Sequence, residues 1–314
     1  MQKYCFGVDV GGTTVKIGLF TMEGNIVDKW EITTRKENSG SSILSDIAKS
    51  IEAKLEEKNI SKEEVKGVGI GVPGPITADG TVLVCVNLGW GIFNVAEEVK
   101  RLTGFANVKV NNDANVAALG EMWQGGGKGY KNIIMITLGT GVGGGVIYDG
   151  KILTGVRGAA GEIGHITVNY EETDACNCGK HGCLEQFASA TGIVREAKRL
   201  LSKTDAKTTI RDIENLTAKD IFDAAKEADQ VSLELVEQLG RYLGMVTSQV
   251  AAVIDPEAFV IGGGVSKAGE ILTEVVKKHY EVNVFDALKG KEFKLATLGN
   301  DAGIYGSAKM VIDN

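Results

Sequence analysis

Proline is nearly missing from this chain, with three in 314 residues. That excludes a proline-rich linker as an organising feature. No apolar run approaches the ~20 residues that a membrane-crossing helix needs. Basic clusters are lacking too: 34 Lys and Arg stand against 41 Asp and Glu, for a net charge of −7. An acidic chain without a basic stripe is a poor partner for nucleic acid or an anionic membrane. A secretory leader is not expected, because Asp9 brings a negative charge too early, so the expected location is cytoplasmic. Five cysteines make an odd number, which fits reduced thiols and metal binding better than a disulfide framework. No G-x-x-x-x-G-K-[ST] stretch is present, so a P-loop nucleotide site is excluded.

Glycine, by contrast, is abundant at 42 residues. It clusters at 67–74, 125–129, 139–145, 155–164 and 262–264. Glycine clusters flanked by Val/Ile runs predict strands that end in ligand-contacting turns. Strands are predicted over 4–10, 15–20 and 26–32 as an antiparallel meander. Apolar residues at helical spacing predict a helix over 41–59. Strands follow at 65–72, 82–86 and 108–110, with helices over 93–102 and from Asp113 to about Trp123.

The pattern then begins again. Strand 132–138, turn Gly139-Thr140-Gly141 and strand 143–148 overlay strand 4–10, turn Gly11-Gly12-Thr13-Thr14 and strand 15–20. The repeat is an internal duplication of a strand–glycine turn–strand unit. At 314 residues a chain exceeds one ordinary core, so two lobes are expected. The expectation is an α/β protein with the two-lobed actin-like (ribonuclease H-like) sugar-kinase fold and a nucleotide cleft between the lobes. The lobes are expected at 1–112 plus 300–314, and at 113–299. After residue 184 the chain reads as mostly helical, with strands at 258–264 and 293–296 and a small-residue helix over 301–311 that should return to the first lobe.

Residues 161–185 hold three of the five cysteines and two of the three histidines. Cys176, Cys178 and Cys183 with His165 form a Cys3His set, which suits a closed structural Zn2+ site. His181 is a rival fourth ligand by spacing alone. A zinc-bound imidazole has a second ring nitrogen free to hydrogen-bond. Glu162, His165 and Glu185 could then converge on adjacent hydroxyls of a sugar; the alternative for each glutamate is a surface charge.

The two glycine turns can bring backbone N–H groups to phosphate oxygens, and Thr13, Thr14 and Thr140 add hydroxyl donors. Asp9 could hold Mg2+ with the phosphates. Gly263 and Gly264 follow a strand and are a candidate for the adenine end, or a plain strand-to-helix turn. Asp113 stands where a strand passes into a helix. It could be a helix N-cap, or the base that takes a proton from a sugar hydroxyl during phosphoryl transfer. Asn112 beside it could bind a neighbouring hydroxyl.

Six motifs in order carry a family resemblance: D-x-G-G-T at 9–13, G-V-P-G-P at 71–75, N-D-A-N at 112–115, L-G-T-G-V-G-G-G at 138–145, G-E-I-G-H at 161–165 and C-x-C-G-x-x-G-C-x-E at 176–185. Together they resemble the ROK family, and within it the bacterial ATP-dependent glucokinases. The resemblance implies transfer of a phosphoryl group from ATP to the 6-hydroxyl of D-glucose, the entry to glycolysis. It implies Asp113 as base and Asn112, Asp113, Glu162, His165 and Glu185 as sugar ligands. It implies His165, Cys176, Cys178 and Cys183 on Zn2+, and the two hairpins, with Gly11, Gly12, Thr13 and Thr14 and with Gly139, Thr140 and Gly141, on the phosphates of ATP. A homodimer is implied by the family alone. Kinases for N-acetylmannosamine, fructose or allose carry similar motifs, polyphosphate replaces ATP in some relatives, and sugar-sensing repressors share the fold. Those repressors carry a DNA-binding segment ahead of the first hairpin; eight residues precede Asp9 here, so a repressor is not expected. Asn111 departs from the Glu often found there.

Overall fold

The computed structural model describes residues 2–313, and its elements follow the apolar pattern closely. The chain runs β1 (Tyr4–Val10), β2 (Thr14–Thr21), β3 (Ile26–Thr33), α1 (Glu37–Gly40), α2 (Ile43–Lys58), β4 (Val65–Val72), β5 (Thr81–Val82), β6 (Phe93–Asn94), α3 (Val95–Thr103), β7 (Val108–Asn112) and α4 (Asp113–Gln124). It continues through β8 (Ile133–Leu138), β9 (Val142–Tyr148), β10 (Lys151–Ile152), α5 (Glu185–Ala188), α6 (Ala190–Leu201), α7 (Ala218–Lys226), α8 (Gln230–Ile254), β11 (Ala258–Gly262), α9 (Glu270–Asn283), β12 (Glu292–Leu295) and α10 (Ala302–Ile312).

The duplication extends to whole sheets. One sheet has the order β3-β2-β1-β4-β7 and the other β10-β9-β8-β11-β12. In the first, β1 pairs antiparallel with β2 and parallel with β4, and β4 pairs parallel with β7. In the second, β11 pairs parallel with β8 and β12. The central strands explain the continuous apolar runs, since a strand covered on both faces has no polar side to show. The edge strand β3 alternates between half-buried and exposed residues instead, the period-two pattern of one solvated face. The expected strand over 82–86 shrinks to the two residues of β5. Cys85 and Trp90 exchange backbone hydrogen bonds at 3.0 Å and pull the chain into a turn there.

Two compact units result. The first takes the chain as far as Gly129, then Gly145–Gly161, then the chain from Leu298 onward. The second is Tyr130–Gly144 with Glu162–Thr297. Residues 113–129 thus pack in the first unit, although the sequence suggested a division at 112/113. The cause is α10, whose Ala, Gly and Ser residues let it lie close to both β-strands and α4. A Cβ at Gly7 or Gly69 would meet the backbone oxygen of Ile304 or Ser307 at 2.0 or 1.8 Å. A side chain at either strand position would lift the helix off the sheet. The first core gathers Phe6, Val8, Ile17, Ile47, Ile70 and Val99, among others. In the second unit α8 carries Leu235, Leu239, Leu243 and Val246 buried on one face. No helix among the described residues is long and apolar enough to cross a membrane.

Candidate active site

In the first unit, β1 delivers Asp9 to the end of the sheet and the chain turns at once. The Gly11 N–H donates to the Thr14 carbonyl at 3.0 Å, closing the hairpin. Thr34, just past β3, holds the turn from below: its hydroxyl donates to the Gly11 carbonyl at 2.7 Å. Its N–H donates to the Thr13 carbonyl at 2.9 Å. Burial pushes the Asp9 carboxyl up to about 6, the Asp113 carboxylate adds to the rise, and Lys16 opposes it. A buried carboxyl whose ionisation a neighbouring carboxylate opposes makes a ready seat for a cation.

Asp113 is not the helix cap. That part falls to Asn112, whose Oδ1 accepts from the N–H groups of Ala114 at 3.0 Å and Asn115 at 3.2 Å. Asn112 Nδ2 also donates to the Gly74 carbonyl at 3.1 Å, which ties the cap to the G-V-P-G-P loop. One amide hydrogen of Asn112 therefore remains for a ligand. Asp113 is the first helical residue, with Oδ1 accepting from the Ala114 N–H at 2.8 Å. Its carboxylate sits at the positive end of α4.

In the second unit, the Gly139–Gly141 turn is closed by the Gly139 N–H on the Gly141 carbonyl at 3.0 Å. The turn rests on the start of α6: the Ala190 N–H donates to the Gly139 carbonyl at 2.8 Å and the Thr191 hydroxyl to the Thr140 carbonyl at 2.7 Å. Gly263, at φ +83°, abuts Leu138, the residue before that turn. A cavity of about 300 Å³ opens beside Gly264, with Ala190, Ala218, Phe222, Val265 and Ala268 on its walls. Its apolar lining next to a glycine turn suits a flat, weakly polar ring.

His165, Cys176, Cys178 and Cys183 come together in the same unit, their ligand atoms all within 4.8 Å of one another. The Sγ atoms of Cys178 and Cys183 are 3.6 Å apart, and Cys176 Sγ is 3.9 Å from His165 Nδ1. Tetrahedral zinc with Zn–S bonds of about 2.3 Å has ligand–ligand edges of about 3.8 Å. Burial pushes the Cys183 thiol up to about 12, its neighbouring thiols adding to the rise, so ionised sulfur here calls for a counter-cation. His181 is exposed and pairs with Ala175 in an isolated bridge, away from the cluster.

Glu185 opens α5 two residues after Cys183. Its Oε2 accepts from the Val142 N–H at 3.0 Å, while Oε1 lies 3.7 Å from Cys176 Sγ. A Cβ at Gly141 would sit 2.2 Å from that same Oε2. The cysteine loop and the second glycine hairpin are therefore in direct contact, which spacing alone did not suggest. Glu162 is exposed and precedes the short turn Ile163–His165, its carbonyl accepting from the His165 N–H at 3.2 Å. The loop between His165 and Cys176 is braced by Glu172, which accepts from Arg199 Nη1 at 2.6 Å and Nη2 at 3.0 Å and from Arg195 at 3.0 Å. The sequence offered no signal for this brace, because its partners lie 23 and 27 residues away. Thr34 was missed for the same reason, its partner Gly11 being 23 residues off.

The profile of the ROK family matches residues 5–314. A glucokinase of Halalkalibacterium halodurans is 47% identical over 99% of this chain and 95% of its own. A xylose repressor of Caldicellulosiruptor bescii is 30% identical over 98% of this chain and 78% of its own. Among solved structures, a ROK family glucokinase from Streptomyces griseus in complex with glucose and AMPPNP is similar at a TM-score of 0.75 and 32% identity. That likeness covers 99% of this chain and all of that one.

Proposed function

The chain belongs to the ROK family, and from that premise we propose that it is an ATP-dependent glucokinase. It transfers the γ-phosphoryl group of ATP to the 6-hydroxyl of D-glucose, giving glucose 6-phosphate and ADP. One observation carries the reading beyond the family. Asp113, the first residue of α4, lies near enough to Asp9 for its charge to raise that carboxyl, which sets a carboxylate for the base beside a carboxylate for the cation.

Asp113 accepts the proton of the 6-hydroxyl as that oxygen attacks the γ-phosphorus, and ADP leaves opposite the entering oxygen. Asn112, Asp113, Glu162, His165 and Glu185 bind the sugar. The hairpin at Gly11, Gly12, Thr13 and Thr14 and the turn at Gly139, Thr140 and Gly141 give N–H and hydroxyl donors to the phosphates. Gly263 and Gly264, beside the apolar cavity, take the adenine end. Asp9 would hold Mg2+, which supplies charge neutralisation on the phosphates when bound. His165, Cys176, Cys178 and Cys183 would hold Zn2+, a closed site whose contribution is to fold the loop that presents His165 and Glu185.

The remaining parts of the reading are a cytoplasmic homodimer that binds no nucleic acid. A coupled assay of ADP release over a panel of hexoses and amino sugars tests the function. The expected result is the highest kcat/KM with glucose. A higher kcat/KM with N-acetylmannosamine, fructose or allose would move the assignment within the family, and no sugar-dependent ADP release would remove the enzyme reading.

A further inference from the structure

The glycine run Gly125-Gly126-Gly127 follows α4 and takes no part in the phosphate or sugar roles above. Its three N–H groups all turn back onto one residue. Gly125 and Gly127 donate to the backbone carbonyl of Glu121 at 3.1 and 2.9 Å, and Gly126 donates to Glu121 Oε2 at 2.8 Å. From the far end of the chain, the Leu298 N–H donates to Oε1 at 2.8 Å. Glu121 is 0% exposed. A carboxylate at such depth is tolerated only where hydrogen bonds replace its water. The fit leaves no slack, since a Cβ at Gly125 would lie 2.0 Å from Oε2.

The two partners stand at the passages of the chain. The first unit ends its opening stretch at Gly129 and begins its last stretch at Leu298. Leu298 leads through the turn Gly299–Asp301 into α10. Glu121 therefore joins the C-terminal end of α4 to the entry of α10. Those two helices meet at backbone distance, because a Cβ at Gly306 would be 1.6 Å from the Val116 carbonyl oxygen. The same helices frame the carboxylate pair: α4 begins with Asp113, and Gly303 of α10 is so near Asp9 that a Cβ there would lie 2.5 Å from its carboxylate.

We propose that Glu121 is a positioning residue for phosphoryl transfer: by gripping the entry of α10 and the end of α4, it sets where Asp113 stands relative to Asp9. This rests on the kinase reading of those two residues. Asp113 lies eight residues from Glu121, about 12 Å along a rigid helix, so Glu121 touches neither substrate. Misplacement of a base by about 1 Å is enough to cost about 100-fold in rate.

The test compares Glu121→Gln with the wild-type full chain, well below the melting temperature of either. Gln keeps the shape and one carbonyl acceptor, but turns its NH2 toward a second N–H. The expected result is a kcat at least tenfold lower, with KM for glucose and ATP within threefold. A kcat within twofold, with only a lower melting temperature, would make Glu121 a structural residue and overturn the proposal. Should Glu121→Gln not fold, Leu298→Pro removes the Oε1 donor at a φ of −79° that proline accepts. There a kcat at least threefold lower with unchanged KM values supports the proposal, and an unchanged kcat overturns it. Amide exchange over 113–117 gives a readout independent of turnover: faster exchange in the variant is expected, and unchanged protection overturns the proposal. A wild-type chain inactive on every sugar would instead sink the kinase reading, while an active wild type with an equally active variant sinks this one.

Discussion

Glu185 accepts a hydrogen bond from the Val142 N–H at 3.0 Å, and this one contact joins the cysteine loop to the glycine hairpin of β8 and β9. Its other oxygen lies beside Cys176. A residue proposed for the sugar is thus held by an element proposed for the phosphates. Distortion at either end should be felt at the other, because the carboxylate has no slack against Gly141.

Asp113→Asn keeps the volume and most of the hydrogen bonding of the side chain but loses its basicity. The expected outcome is a kcat lower by about 10²–10⁴-fold, with glucose affinity by calorimetry within a few-fold of wild type. Turnover close to wild type would remove Asp113 as the base.

Cys178→Ser replaces the exposed member of the cysteine cluster and should release the metal. One zinc per wild-type chain is expected by elemental analysis, and far less in the variant. A raised KM for glucose with a smaller change in KM for ATP should follow, since the loop presenting His165 and Glu185 loses its clasp. Wild-type protein free of zinc would overturn this account of the sugar site.

Asp9 supplies a pH dependence. Burial first, and Asp113 next, raise its carboxyl from an ordinary 3.8 to about 6. A raised carboxyl is protonated below that value, and a protonated group does not hold a cation. The kcat/KM for MgATP should fall as pH drops through about 6, and high Mg2+ should move the fall to lower pH. A profile flat to pH 5 would show that Asp9 carries no such role.

Glu172 gives the opposite sign. The Arg199 hydrogen bonds hold its carboxyl at about 2, below an ordinary 4.5, against the cost of burial. A depressed carboxyl contributes stability in full above the unfolded value, and that stability is lost as pH falls from about 5 toward 2. The shift corresponds to on the order of 3 kcal/mol. Glu172→Gln should be less stable than wild type by about that much in urea at pH 7, and the gap should narrow by about half near pH 3. An equal gap at both pH values would mean lost packing rather than lost charge.

The order of strands and helices was legible because it rests on local periodicity and on glycine turns. The duplicated hairpin at Val8–Gly11 and Ile136–Gly139 pointed to two like sheets, and both have the same strand order. The Cys3His set was legible from short spacings, since a tight loop has few ways to place four ligands around one ion.

Tertiary structure decided the rest, because hydrogen-bond partners far apart in the chain leave no mark on periodicity. Spacing left His165 and His181 as rivals, and the packing of the loop brought His165 to the thiols. Asp113 read as a helix cap or as a base, and the structure gives the cap to Asn112, which accepts from the Ala114 and Asn115 N–H groups. Residues 113–129 joined the first unit because α10 returns to lie on α4. Glu121 carries no mark in the sequence, because its partner Leu298 stands 177 residues later. The amino-acid sequence determined which elements form and which chemistry is present; the return of the chain determined which side chains remain available to perform it.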